Sequence, residues 1–189
     1  MTNQDSPRGF VAVRRAGGGD FGELGEYRIA GGYGTAIYEG DLVKLTGTGK
    51  QIERSATGDT PNVGVFRGCQ FERPDGEIVF ENQWPAGQSI RTGSEVIAWV
   101  QDDPNIVFEV QADGDFQPAD IGRKADIVAT AGNGTIGRSK EELDYSTLGS
   151  SGQLYVLDLV RRVENDFGEN AKVLVQIDEH VFGNSKTAV

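Results

Sequence analysis

Residues 63–80 read VGVFRGCQFERPDGEIVF, and this stretch decides the fold class. Its first half alternates with a period of two residues, which is typical of a β-strand. Phe66 is expected on the face opposite to the one that carries Val63, Val65, Arg67, Cys69 and Phe71.

The strand runs into a turn, because Arg73–Gly76 read Arg-Pro-Asp-Gly. Proline presets φ at the second turn position, and glycine accepts a positive φ at the fourth. The sequence therefore predicts a hairpin between Val63–Phe71 and Ile78–Phe80.

Two more strand pairs are expected further along the chain. Ser94–Val100 and Ile106–Val110 both alternate, and the turn residues Asp102–Asn105 between them predict a second hairpin. Leu154–Val160 and Ala171–Ile177 are rich in branched apolar residues and predict a C-terminal strand pair.

Helix signals are few. Ser139 and Glu142 form a capping-box pattern that predicts one or two helical turns through Leu148, and Pro118–Ile121 and Ala125–Ala129 are each expected to hold a turn. Glycine accounts for 27 of 189 residues, about twice its usual share. The prediction is all-β: a single β-barrel or β-sandwich domain with short helical turns and an extended N-terminal arm.

The arm is predicted from eight glycines in residues 17–34, a density that no helix tolerates. Residues 1–34 are therefore expected to form a Gly-rich extension, with a short strand at Glu26–Ile29. Residues 35–182 are expected to form the β domain, and 183–189 a polar tail.

The net charge of −11 argues against direct contact with nucleic acid or an anionic membrane, because both are polyanionic surfaces. No apolar run approaches the ~20 residues that span a bilayer. The first residues lack a basic start and an apolar core, so no signal peptide is expected. The single cysteine excludes an internal disulfide and is compatible with assembly in a reducing cytoplasm.

Residues with reactive side chains do not form a recognisable catalytic pattern. His180 is the only histidine and is expected to be solvated or to cap a turn, while Cys69 is expected to be a buried structural thiol. The G-x-G-x-x-G pattern at 17–22 is not followed by a helix, and the glycines of 47–50 are expected in a hairpin turn. The sequence thus predicts no catalytic residue and no cofactor.

The paired carboxylates Asp102/Asp103 and Asp113/Asp115 lie in predicted turns, where aspartate bonds to backbone N–H groups. Weak Ca²⁺ binding is the alternative for these pairs, but no metal ligand is assigned. Trp84 and Trp99 are expected in core or interface packing, with an aromatic platform for sugars as the alternative.

An ordered set of phrases carries a resemblance to a known group of proteins. The most specific is LVRRVENDFG at 159–168, which leads into Ala171–Phe182. The earlier ones are Gly9-Phe10, Glu26–Asp41, Val43–Gly47, Val63–Gly68, Asp102–Gln111 and Gly137–Ser139 with Glu142-Leu143. The set covers about residues 9–182 and resembles tailed-bacteriophage virion proteins of the capsid decoration, or cement, type.

The resemblance implies a small β-rich protein without enzymatic activity that sits as a homotrimer on the outer surface of the phage head. Its partner would be the major capsid protein, and it would resist the outward pressure of packaged DNA by bridging capsomers. We expect the N-terminal strand to add to a sheet edge of the capsid protein. The candidate contact residues are Phe10, Val11, Ala12, Val13, Arg14 and Arg15.

Three other functions stay open from the sequence. A carbohydrate-binding or adhesive β-sandwich would expose aromatic side chains around Trp84 or Trp99. A tail-tube or head–tail joining protein would form rings rather than trimers on a shell. An enzyme would need a concave pocket holding groups of shifted pKa.

Overall fold

The computed structural model describes residues 3–183, which form fifteen strands and two 3₁₀ turns, Pro118–Asp120 and Tyr145–Thr147. The strands in chain order are β1 (Val11–Arg15), β2 (Gly25–Ile29), β3 (Ile37–Tyr38), β4 (Leu42–Leu45), β5 (Ile52–Arg54), β6 (Asn62–Glu72), β7 (Ile78–Glu81), β8 (Gln83–Trp84), β9 (Val96–Gln101), β10 (Ile106–Gln111), β11 (Lys124–Ala125), β12 (Ile127–Val128), β13 (Glu142–Leu143), β14 (Leu154–Leu159) and β15 (Lys172–Ile177). No helix in residues 3–183 is both long enough and apolar enough to cross a bilayer.

Two large sheets organise these strands. The five-stranded sheet has the order β1-β10-β15-β14-β11. The six-stranded sheet has the order β2-β9-β6-β4-β5, and β7 pairs with the second half of β6. Two short ladders, β3–β8 and β12–β13, complete the pairing. The all-β prediction is confirmed, and its form is a sandwich, since the described strands do not close into a barrel.

The core consists of two apolar clusters separated by β4 and β6. Leu42 and Val65 join the first cluster, which also holds Phe108, Val156 and Val175 of the five-stranded sheet. The neighbouring side chains of the same two strands, with Tyr27, Trp84 and Ala98, fill the second cluster. β4 and β6 are therefore covered on both faces, and this explains why most residues of β6 are buried.

The predicted hairpin of β6 and β7 is confirmed, with Cys69 paired to Glu81 and Phe71 to Val79. The sequence predicts that alternate residues from Val63 to Phe71 share one face of β6. This prediction is wrong, because the register with β9 shifts between Phe66 and Gly68. A bulge of this kind moves later side chains to the opposite face. Cys69 and Phe71 therefore lie in the second cluster with Phe66, whereas Val65 lies in the first. Val63 also lies in the second cluster, because the register with β4 shifts between Asn62 and Gly64.

The second predicted hairpin, between Ser94–Val100 and Ile106–Val110, is not formed. β9 pairs with β2 and β6, whereas β10 pairs with β1 and β15 in the other sheet. Asp102–Asn105 do form a turn, since Ile106 N–H donates to the carbonyl of Asp103. Alternation specifies two strands and a turn but not whether they share a sheet. The C-terminal pair, β14 and β15, is confirmed as antiparallel neighbours.

The N-terminal segment is part of the sandwich rather than an extended arm. Phe10 is fully buried and packs edge to face on Phe108, with ring centroids 6.1 Å apart. β1 pairs with β10, and β2 pairs with β9. The predicted strand at Glu26–Ile29 is thus present, but the boundary at residue 34 does not separate an arm from a domain. Glycine residues lose much conformational entropy on folding, and the burial of Phe10 together with the pairing of β1 offsets this loss.

The predicted helical turns are only partly present. Pro118–Asp120 forms a 3₁₀ turn as expected, and the 3₁₀ turn Tyr145–Thr147 lies within the segment predicted to end at Leu148. That segment does not start as a helix, because Glu142 begins β13, and Ala125 and Ile127 belong to β11 and β12. The Ser139 hydroxyl accepts from Glu141 N–H, two residues on, and so supports an extended segment instead of a helix. The predicted tail at 183–189 lies outside the described residues except for Gly183.

Candidate docking surface

An apolar strip lies on the part of the six-stranded sheet formed by β7, the second half of β6 and β9, on the side away from the second cluster. We define it by Ile78 and Phe80 on β7 and by Ile97 and Trp99 on β9. β6 lies between these strands, with Gln70 opposite both Phe80 and Ile97. Alternate residues point inward, so Val96, Ala98 and Val100 are buried. Ile78 is 58% exposed and Phe80 is 68% exposed.

Two aromatic rings form the centre of the apolar strip. Phe80 stacks with Trp99, with ring centroids 6.1 Å apart and an angle of 4° between planes. The residue of β6 opposite Trp99 is Gly68, which places no side chain between the rings. A Cβ at Gly68 would come within 2.9 Å of the carbonyl oxygen of Glu81, so this close approach requires glycine.

Charged pairs border the apolar strip. Arg28 lies opposite Ile97 and binds Glu26 at 2.7 Å and Glu95 at 3.0 Å. Glu72, opposite Ile78, pairs with Arg91. An apolar centre with a polar, ion-paired rim is the anatomy of a protein–protein interface. Each of these rim charges has an ion-pair partner, although Glu26 and Glu95 share the single guanidinium of Arg28.

The candidate contact residues Phe10–Arg15 lie in a different sheet. Phe10 is buried and offers no surface to a partner in this conformation. Val11, Ala12 and Arg15 are partly buried, and the exposed pair is Val13 and Arg14. The register of β1 with β10 shifts between Ala12 and Arg14. A bulge on an edge strand hinders addition of a further strand, and capsid contact by Val13 and Arg14 stays a prediction.

The two tryptophans have different environments. Trp84 is fully buried, packs edge to face on Phe71 and donates its indole N–H to the Tyr33 carbonyl at 3.1 Å. Core packing is therefore confirmed for Trp84. Trp99 is half-buried beneath Phe80 in the apolar strip.

Of the paired aspartates, Asp103 has the local turn bond that the sequence predicts, whereas Asp102 and Asp113 accept from residues elsewhere in the chain. Asp102 accepts from the Tyr27 hydroxyl at 2.8 Å, and Asp103 accepts from Asn105 N–H at 2.8 Å. Asp113 accepts from Tyr145 N–H at 2.7 Å. Within residues 3–183, no three His, Cys, Asp or Glu side chains are grouped as a metal would require.

The remaining candidates are structural. Burial raises the pKa of the Cys69 thiol to about 12, and its Sγ donates to the Gln83 carbonyl, so the predicted buried thiol is confirmed. His180 is buried rather than solvated, and its Nδ1 accepts from Phe182 N–H at 3.0 Å, which is a local capping role. Residues 46–51 form the predicted hairpin turn, closed by Thr46 N–H on the Gln51 carbonyl.

Two buried carboxyls were not singled out from the sequence. Asp41 and Glu141 are fully buried and share the guanidinium of Arg54, at 3.1 Å and 3.0 Å. Burial raises the pKa of both carboxyls, and the negative charge of Asp41 adds to the rise at Glu141. Glu141 also accepts from Leu42 N–H at 2.8 Å, so this group joins the β12–β13 region to β4. This ion-paired group of Asp41, Glu141 and Arg54 therefore connects strands within the protein interior.

Sequence reasoning predicted Ile78–Phe80 as a strand but not as a surface. The available signal was a short strand with apolar residues on both faces beside a strand containing Gly68. Comparison with known proteins finds no matching family model, no matching curated protein and no matching solved structure.

Proposed function

We propose that this chain is a non-enzymatic virion structural protein that binds the outer surface of a tailed-phage head. In this role it cements neighbouring capsomers against the pressure of packaged DNA, with the major capsid protein as its partner. The ordered sequence phrases support the phage-head assignment. The observation that carries the docking role is the exposed, ion-pair-bordered apolar strip around Phe80 and Trp99.

The energetics of a shell suit such a surface. A standard interface buries about 1,600 Å² in total and has an apolar centre that supplies most of the binding energy. A cement protein contacts more than one capsomer, and many copies act together on a closed lattice. Modest contacts at each copy then add through effective concentration. Aromatic residues are favoured at such centres because they bury much area at little cost in side-chain entropy.

We propose a homotrimer on the shell, following the same resemblance. Light scattering at micromolar concentration and imaging of particles test this assembly. Threefold density at capsomer junctions supports it. Monomers both in solution and on particles would contradict it.

The direct test of docking is addition of the purified chain to heads assembled without it. Electron microscopy should then show new density on the outer surface that saturates at a fixed number of copies per capsomer. Heads that stay bare at saturating protein concentration would contradict the proposal.

Carbohydrate binding is a second candidate, and the Phe80–Trp99 pair is the observation that favours it. The exposed Phe80 ring, parallel to the half-buried Trp99 ring, offers an aromatic face of the kind on which sugar rings stack. A glycan array with and without calcium separates the two functions. A saturable glycan signal lost in Phe80→Ser, together with bare heads, would favour the sugar-binding role.

A further inference from the structure

A polar cleft of about 600 Å³ lies where the N-terminal residues cross the loop between β14 and β15. It is in the five-stranded sheet region, whereas the apolar strip belongs to the other sheet. Three cationic side chains line it: Arg8, Arg162 and Lys172. In a chain of net charge −11, this local convergence of positive groups is unusual.

Hydrogen bonds hold both walls of the cleft in place. The Asn3 amide donates to the carbonyls of Asp166 and Glu169, both at 2.8 Å, and fastens the N-terminal segment to the loop. Asn165, which is buried, donates to the carbonyls of Val160 and Lys172 and accepts from Lys172 N–H. The cleft is therefore formed before any ligand arrives, which lowers the entropic cost of binding.

The two guanidiniums share one buried carboxylate. Arg8 and Arg162 both donate to Glu109, at 2.7 Å and 2.9 Å, and Arg162 makes a second contact at 3.3 Å. A guanidinium carries five N–H donors, so both retain donors beyond those that Glu109 accepts. Glu109 balances one of the two guanidinium charges, and Asp5 and Glu164 are the other acids at the cleft, so binding depends on the remaining N–H donors and not on a net positive charge.

Lys172 adds a third positive charge on the same side. Its ammonium donates to the neutral hydroxyl of Ser6 at 3.1 Å. Partial burial lowers the pKa of Lys172, and the positive charges of Arg162 and Arg8 lower it further, against the opposing effects of Glu109 and Asp5. Asp5 accepts from Gln111 at 2.9 Å, and Glu164 is the exposed acid that also lines the cleft.

We propose that this cleft binds an oxyanion group, a carboxylate or a phosphate, through Arg8, Arg162 and Lys172. Charge-assisted bonds from guanidinium and ammonium donors are the strong interactions such a group makes, and forked guanidinium donors match its paired oxygens. The volume exceeds that of one such group, so the oxyanion can belong to a small molecule or to an acidic peptide segment. The site is independent of the proposed docking function, and either can fail without the other.

Titration of the full chain by ¹H–¹⁵N NMR tests the site, with inorganic phosphate and tetraglutamate as probes and tetraglutamine as the uncharged control. We expect saturable shifts at the Asn165 and Lys172 amides, with Kd on the order of 1 mM and weaker binding as salt rises. A tetraglutamate Kd at least about tenfold below that of phosphate identifies a peptide ligand, and the reverse identifies a small anion. The pKa of the Lys172 ammonium should rise in the bound state, because a nearby anion favours the charged form.

Lys172→Gln and Arg162→Gln should each weaken binding by at least about tenfold. Both leave Arg8 on Glu109, so the buried carboxylate keeps a partner. Arg91→Gln is the matched control, since Arg91 pairs with Glu72 in the other sheet. This variant should bind phosphate and tetraglutamate as the wild type does. Absence of shifts with phosphate and with tetraglutamate at about 20 mM would overturn the proposal, as would unchanged binding in a folded Lys172→Gln variant.

Discussion

Phe80 and Trp99 lie with their ring planes 4° apart although their strands are not neighbours. β6 runs between them, and Gly68 is the residue of β6 that faces Trp99. The missing side chain lets the two rings meet across the intervening strand. The contact produces an aromatic pair whose outer ring, Phe80, is 68% exposed, and the proposed docking role depends on it.

Replacing Phe80 by serine should abolish docking with little effect on the fold. The side chain is 68% exposed, so we expect the free energy of unfolding to fall by only about 1 kcal/mol, mainly from the lost ring contact. Occupancy on heads should fall at least about tenfold, since an aromatic residue at the centre of an interface contributes most of its energy. Quantitative gels of purified particles measure the occupancy.

Phe182→Ser is the matched control for that substitution, because Phe182 is also aromatic and 58% exposed but lies outside the apolar strip. It should leave occupancy unchanged. Equal loss of occupancy in both variants would point to a general effect of surface hydrophobicity and would count against the strip.

Replacing Phe10 by alanine should destabilise the protein by about 3–5 kcal/mol, as expected for a large buried side chain. Phe10 packs on Phe108 in the first cluster, so its removal leaves a cavity between the sheets. Urea unfolding gives the free energy, with Val13→Ala on the exposed side of β1 as the control. A loss below about 1 kcal/mol for Phe10→Ala would show that the N-terminal segment is not integrated as described.

The buried acid pair should make stability depend on pH. The pKa of Glu141 is raised in the folded state by burial and by Asp41. The protonated carboxyl therefore contributes to the free energy of unfolding, and this contribution is fully present below the unfolded-state pKa of about 4.3. That contribution is lost as pH rises through the raised value, because an uncompensated charge must then be buried. Wild type should therefore lose stability relative to Glu141→Gln between about pH 5 and about pH 8.

Urea unfolding of both proteins at the two pH values measures this difference. Arg54→Met is the complementary variant: it should be more destabilising at the higher pH, where two buried carboxylates lack their cation. A stability difference between wild type and Glu141→Gln that stays constant with pH would refute the assignment.

Cys69 should react with thiol reagents only after unfolding. The thiol is fully buried with a pKa raised to about 12, so very little thiolate forms near neutral pH. We expect the labelling rate of the native protein at about pH 8 to be at least about a hundredfold below that of the protein in urea. Rapid labelling of the native protein would contradict the burial of β6.

The sequence predicted the local elements well because their signals are local. Pro74 and Gly76 specify a turn through their own backbone preferences, and the alternation before them specifies a strand. These signals do not say which strands pair. β9 and β10 satisfy every local condition of a hairpin, yet the chain turns from one sheet into the other at Asp102 and Asp103.

The surface was harder to predict than the fold. Phe10 was assigned to a contact with another protein because its flanking glycines indicate freedom, but the fold uses Phe10 for its own core. The sequence places Phe80 in a predicted strand, and no local signal indicates that its side chain is exposed to solvent. Its exposure depends on β7 pairing with one neighbour and on Gly68 leaving room for the ring stack, and both are tertiary facts.

Heating of particles tests the central claim most directly. Three samples are compared: heads carrying the wild-type chain, heads offered Phe80→Ser, and heads without the chain, with genome release followed by dye fluorescence. The account predicts release at the highest temperature for wild type and at a lower, shared temperature for the other two. One common release temperature for all three samples, with wild-type occupancy verified, would contradict the cement role.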